Sequence, residues 1–485
     1  MKLGFSALSR HLLLAVASAG IFAATARADV GGDARAILRD PFLAHAQHSV
    51  MLVRLGDGHP VTLFEDQAAK PLVPASNLKL ITTSAAMQKL GADFKFRTML
   101  LAHDGDLVLV GDGDPSFGDA ELLKKVGWDV QTVFDTWAKG LAARGLRSAR
   151  RLLVDDSIFD TEFLNPNWPA DQEQKRYVAE VAGMNLNTNC LDVFVMPGRA
   201  GGLVHFVTDP HTNYFTIKNS CVSGSRNSVW LSRTPDTNEL ILRGETAGAN
   251  QVPVSVTIHD PPLFAASVLA DSLESAGISV GSVARDRTAR EKYLHGEPGW
   301  TLLAQNTTPL TQVMARANKD SMNLYAECTC KRLGAAVYGV GSWANGTAAV
   351  GQFLQELGVP ADQYHLDDGC GLSKENAISA NLMVTVLAHD FFSPNAKAFM
   401  DTMAIAGVDG TMETRFHADE LHGRVLAKSG FVNGVSCLSG FLHARDGGWY
   451  GFSILFNDVP AGGTSQAKAI EERIVQALDV NSVKR

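Results

Sequence analysis

The chain has 485 residues, of which 46% are hydrophobic and 19% charged. That is enough apolar sequence for about two to four domains with large cores, and it excludes a disordered chain. The net charge of −8 argues against a nucleic-acid partner, whose phosphates want a basic surface.

Lys2 and Arg10 begin the chain, an apolar run follows from Leu12 to Ala24, and Ala26-Arg27-Ala28 supplies a small-x-small cleavage pattern. Residues 1–28 therefore read as a secretory signal peptide, which places the mature protein in the periplasm. The 13-residue run is too short to span a bilayer, so the competing reading, a retained membrane anchor, is disfavoured. No cysteine lies near the cut, and no later segment reaches spanning length without a charge, so stable membrane insertion is not expected. Removing the segment leaves 40 basic and 51 acidic side chains, a net −11.

Ser49–Leu55 and Pro60–Phe64 are β-rich runs around Gly56-Asp57-Gly58, a hairpin pattern. After Pro74, Ser76 to Leu90 reads as a helix closed by Gly91. From Phe96 to about Asp260 short strand-like runs alternate with Gly, Asp, Asn and Ser: Leu107–Val110, Ser228–Ser232, Glu239–Leu242 and Val252–Ile258. An apolar helix is expected to start near Ser321 and to end at Gly334. Arg424–Phe431, Leu438–Ala444 and Trp449–Phe456 read as three antiparallel strands, followed by a helix from Ser465 to Leu478 with Ile470, Ile474 and Leu478 on one face. The first two strands and the last three make one five-stranded antiparallel sheet with flanking helices, an α/β (α+β) architecture. The expected division is 29–97 with 298–485 as the parent domain, and 98–297 as a mostly β insertion of two nested modules.

Cys190, Cys221, Cys328, Cys330, Cys370 and Cys437 all lie in the exported part. Six cysteines allow fifteen full pairings, and Cys190 with Cys221 is the candidate pair. There is no Cys-x-x-Cys and no His-Glu-x-x-His, so neither a metal nor another cofactor is expected.

Three short patterns carry chemistry. In Ser76-Asn77-Leu78-Lys79 the two functional side chains stand one helical turn apart, so an amine can reach a hydroxyl. A serine needs such a base before it can attack, and a lysine becomes one only when burial or nearby cations lower its pKa. The bland reading is a capping serine and a solvated lysine, and Ser465-Gln466-Ala467-Lys468 repeats the spacing. Ser321-Met322-Asn323 offers a hydroxyl that could relay a proton and an amide that could hold a peptide carbonyl. It could equally be a helix cap, and Ser-x-Asn recurs at Ser225, Ser379 and Ser393. Lys428-Ser429-Gly430, on a strand, places a cation and a hydroxyl for a substrate carboxylate beside a glycine that lets a substrate backbone approach; an exposed edge lysine before a bulge is the alternative.

Their order, Ser-x-x-Lys, Ser-x-Asn, Lys-Ser-Gly, is the motif set of penicillin-binding proteins and serine β-lactamases. Pro74 to Thr83, Gly111-Asp112-Gly113-Asp114-Pro115-Ser116, Asp367 to Ser373 and Ala406 to Thr411 extend the match. Over nearly the whole mature chain the sequence resembles low-molecular-mass class C penicillin-binding proteins, the D-alanyl-D-alanine carboxypeptidases/endopeptidases of peptidase family S13. The long gap of 245 positions from Ser76 to Ser321 resembles that family's large insertion, which β-lactamases lack.

The resemblance implies a penicillin-binding/β-lactamase-like fold and hydrolysis of peptidoglycan stem peptides through an acyl-enzyme on Ser76, with β-lactams as inhibitors. Lys79 would take the serine's proton, and Ser321 and Lys428 would pass a proton to the leaving D-amino acid. Asn323 would steady Lys79 and the acyl amide, and Ser429 with Lys428 would hold the terminal carboxylate. The N–H groups of Ser76 and Phe431 would form the oxyanion hole, next to Gly430. Ser429 stands where Thr is commoner, Met322 where Asn or Asp is usual, and Lys374 where Arg is frequent. Asp155 and Lys374 would meet the zwitterionic side chain of diaminopimelate, or else are plain surface charges. Asp112 and Asp114 read as turn formers rather than metal ligands. A serine β-lactamase and a non-catalytic β-lactam sensor remain the alternatives, and a homodimer is left open.

Overall fold

The computed structural model describes residues 30–416 and 420–482. The expected signal peptide lies outside the described residues. The ends of the described chain meet in one antiparallel sheet. Its strands run in the spatial order His59–Asp66, Gln47–Gly56, Trp449–Asn457, Val435–His443, Val425–Val432 and Ala404–Ile405. Five are the strands expected from the sequence. The sixth is a two-residue edge pairing Ala404 with Ala427, too short to leave a periodic signal. Asp57 and Gly58, both at positive φ, form the two-residue turn of the first hairpin.

Strand Val435–His443 is buried from Val435 to Leu442, because both faces of the sheet are covered. Helices Val30–Leu38 and Thr464–Ser482 share one core with Leu52, Leu438 and Ile454. The helical region covers the other face, where helix Ala380–Phe392 packs on the strands and Val53, Phe441 and Leu455 share a core with helix Leu78–Leu90. That helix is buried from Leu78 to Met87 and so has no polar face, as a helix at the centre of a bundle should. Helices Leu310–Lys319, Asn323–Tyr338, Trp343–Glu356 and Ala380–Phe392 pack around it.

Helix Asn323–Tyr338 does not stop at Gly334. A Cβ there would lie 2.6 Å from the backbone nitrogen of Gly346, so this glycine lets two helices cross closely. The helix ends instead at Gly339, whose φ of 89° fits a helix terminus that only glycine readily supplies.

Between Lys95 and Pro309 lies a second five-stranded sheet, in the order Val283–Arg285, Leu152–Asp155, Asp106–Val110, Lys95–His103, Thr301–Pro309. Its first three strands are parallel, and they need crossovers. Helices Val130–Ala143 and Pro261–Ser275 share their core. The β texture expected here describes the centre of the segment, where strands between Cys190 and Thr257 form small sheets. The long helices at its two ends escaped because Gly- and Asp-rich turns masked them.

The expected Cys190–Cys221 bridge is corrected: all six cysteines are free and buried. Burial raises the Cys190 thiol to about 11, the behaviour of a small core residue.

Candidate active site

The Ser76 segment is a 3-10 turn, Ala75–Asn77, that feeds directly into helix Leu78–Leu90. Two glycines clamp it. A Cβ on Gly371 would fall 1.8 Å from the Ala75 carbonyl oxygen, and one on Gly430 would fall 2.6 Å from that of Pro74. Asn77 Nδ2 also donates to the Lys428 carbonyl at 3.0 Å. Ala75 is held at φ 46°, a conformation that alanine rarely adopts and that needs such external support. Gly430, expected to make room for a substrate backbone, also makes room for the Ser76 turn.

Lys79 is fully buried, and its Nζ has three neighbours: Ser76 Oγ at 2.9 Å, Asn323 Oδ1 at 2.8 Å and the Cys370 carbonyl at 2.8 Å. Their chemistry decides which way the protons point. A carbonyl can only accept. Asn323 Nδ2 donates to the Tyr177 carbonyl at 2.8 Å, which turns Oδ1 toward the amine. A neutral amine therefore spends both N–H groups on Cys370 and Asn323 and aims its lone pair at the Ser76 hydroxyl. Burial pushes the Lys79 amine down toward that neutral form, against the opposing charges of Asp368 and Glu327.

Lys428 is equally buried on the inner strand, with Nζ donating to the Ser429 carbonyl at 2.9 Å. Burial lowers its pKa well below the usual lysine value, the Lys79 charge lowers it further, and Asp320 partly opposes both. Asp320 belongs to the turn that carries Ser321. Arg316 holds this turn by donating to Asp320 at 2.7 Å and to Asp119 at 2.9 Å. Ser321 sits there at φ 59°, outside the helix that starts at Asn323.

Ser76, Ser321, Asn323, Lys374 and Phe431 line one cleft of about 810 Å³. Asn167, Pro169, Gln172 and Tyr177 line it from one side, and Gly371, Leu372 and Glu375 flank Lys374. The Phe431 ring is 55% exposed over it. Ser429 and Gly430 lie between Lys428 and Phe431 on the same strand. Lys374 stands at the rim, with Nζ donating to the Asn433 carbonyl at 3.2 Å.

Asp155 is a correction. It is fully buried in the second sheet and does not line this cleft. Its carboxylate accepts the backbone N–H groups of Ser157 at 2.9 Å and Arg290 at 2.6 Å, so it organises a turn. Asp114 is a turn former as expected, accepting Ser116 N–H at 2.9 Å. Asp112 instead pairs with Arg290 at 3.3 Å and Arg332 at 3.2 Å.

Three contributors were missed, the Cys370 carbonyl among them. Tyr177 acts through a backbone carbonyl, which leaves no mark in a sequence. Glu327 lies four residues after Asn323 on the same helix, and that spacing was the available signal.

The D-Ala-D-Ala carboxypeptidase 3 (S13) family matches residues 32–480. The chain belongs to that family. A D-alanyl-D-alanine carboxypeptidase of an Actinomadura species is 31% identical over 88% of this chain and 80% of its own length. Penicillin-binding protein 4 of Haemophilus influenzae shares the fold, with a TM-score of 0.74 at 21% identity over 92% of this chain and 99% of that one. Its complex with a β-lactam aligns with a TM-score of 0.69 at 20% identity, over 93% and 99% of the two chains.

Proposed function

We propose that this protein is a serine DD-peptidase that cleaves D-Ala-D-Ala ends and cross-links of peptidoglycan stem peptides, and that β-lactams acylate the same serine. The observation that carries this reading is the fully buried Lys79 amine, 2.9 Å from Ser76 Oγ with Asn323 and Cys370 oxygens as its other two neighbours. Ser76 Oγ attacks the carbonyl of the penultimate D-alanine as its proton passes to Lys79. The N–H groups of Ser76 and Phe431 receive the oxyanion. Ser321 and Lys428 deliver a proton to the leaving amine, and Lys428 with Ser429 binds the terminal carboxylate. Water then releases the acyl group, and no metal or cofactor takes part.

Lys374 at the cleft rim fits a carboxylate on the substrate side chain, as a point charge rather than a fork. The expected role of Asp155 in holding that side chain is withdrawn. Family membership and the pattern of residues 1–28 support a periplasmic location, and no described helix is long and apolar enough to cross a membrane. The homodimer left open by the sequence gains no support from the structure of the single chain.

Fluorescent penicillin labelling paired with D-Ala release from a pentapeptide tests the proposal. Both signals are expected in the wild type, and both should vanish in Ser76→Ala. Labelling that survives in Ser76→Ala sinks the nucleophile assignment. Labelling without D-Ala release from monomeric or cross-linked peptide favours a β-lactam sensor, and rapid loss of the label a β-lactamase.

A further inference from the structure

The Cys370 carbonyl that receives Lys79 belongs to a short loop, Asp368–Gly371, held from three sides. The Asp368 carboxylate accepts the N–H groups of Cys370 at 3.1 Å, Gly371 at 2.7 Å and Ser373 at 2.7 Å. Thr82, three residues beyond Lys79 on the same helix, donates its hydroxyl to the Gly369 carbonyl at 2.7 Å. The third hold is Glu327. Its side chain is fully buried one turn beyond Asn323, and it accepts the Gly369 N–H at 2.9 Å and the Trp343 indole N–H at 2.8 Å. Gly369 is fixed sterically as well, since a Cβ there would lie 2.5 Å from Cys330 Cβ. One helix thus serves Lys79 twice, directly through Asn323 and through the Gly369–Cys370 backbone by way of Glu327.

We propose that Glu327 is a positioning residue for the chemistry of Ser76: it fixes the Asp368–Gly369 peptide at the start of the loop whose Cys370 carbonyl faces Lys79, and its charge favours the protonated form of Lys79. A buried carboxylate left with a negative charge would stabilise the Lys79 ammonium, whereas a neutral carboxyl frees the amine to act as a base. The groups facing Glu327 are Asp368 and Cys370 from the loop, Cys328, Cys330 and Lys331 from its own helix, Trp343 from the next helix and Lys79 from the central one. Burial, helped by the Asp368 charge, lifts the Glu327 carboxyl to about 7, so its charge changes near neutral pH.

This inference rests on the proposed acylation of Ser76 with Lys79 as base. The test measures the acylation rate constant with fluorescent penicillin from pH 5 to 9 in the full chain, together with the melting temperature. Glu327→Gln keeps an oxygen for the Gly369 and Trp343 N–H groups and removes the charge. Its acidic limb, the rise in rate as Lys79 loses its proton, should move to lower pH by roughly half a unit to one unit. A limb that stays in place, whether the rate falls evenly at every pH or not at all, overturns the proposal. If Glu327→Gln does not fold, Thr82→Val cuts the other tie on Gly369, at its carbonyl, and leaves the charge. It should slow acylation about tenfold without moving the limb, and a wild-type rate overturns the positioning claim. Failure of the functional reading looks different, because the wild type would then not label on Ser76 at any pH.

Discussion

Two places in this molecule carry Ser-x-x-Lys at a helix start, and only one of them has a buried lysine beside a cleft. Ser465 is exposed and Lys468 half-exposed at the head of the final helix, where the Lys468 backbone carbonyl merely accepts Arg415 at 3.1 Å. Ser76 and Lys79 have the same spacing, but their helix is buried all round and three other chain segments close over it. The comparison shows that spacing supplies reach, while burial supplies basicity and fixed acceptors supply direction. A lysine in water has a pKa near about 10.4 and holds its proton at neutral pH. The same residue among a carbonyl, an amide oxygen and a hydroxyl has only the hydroxyl left to take a proton from.

The comparison breaks most readily at the lysines. Lys79→Ala should lower the acylation rate about 10²- to 10⁴-fold, the usual range for a removed general base. Lys468→Ala should leave that rate unchanged and shift stability by no more than about 0.5 kcal/mol, read by stopped-flow labelling and thermal melting. Equal losses in the two variants would remove the distinction. The direction of the lone pair is the next largest effect. Asn323→Ala removes one fixed acceptor and should cost up to about 10²-fold in acylation, mostly in rate rather than in affinity. The smallest effect on activity separates the two acids and bases once paired by resemblance. Lys374→Ala should raise KM for a peptide with an acidic side chain and leave kcat alone. Asp155→Asn should leave KM unchanged and cost about 1–3 kcal/mol of stability, because one of two backbone N–H groups loses its acceptor.

The sheet was legible in the sequence because its strands are long and their turns carry Gly and Asp at positions that need positive φ. The Ala404–Ile405 edge and the helix beyond Gly334 were not, since a two-residue strand has no period and a glycine at a helix crossing looks like a stop. At the site, Ser76, Ser321 and Asn323 were named from short motifs, Lys374 and Phe431 from the family resemblance, and all five share one cleft. Asp155 was misplaced because a carboxylate that caps a turn and one that binds a substrate are the same letter in a sequence. The Cys370 and Tyr177 carbonyls were invisible because every residue carries one.

Lys79 binds Asn323 and Cys370 from 244 and 291 residues away, and Asn77 reaches Lys428 across 351. Each is a contact that forms only after most of the chain has been organised. Until then the amine is hydrated and protonated, and Ser76 is an ordinary alcohol. The protein therefore leaves the ribosome chemically silent, and its reactivity switches on in the same event that completes the fold.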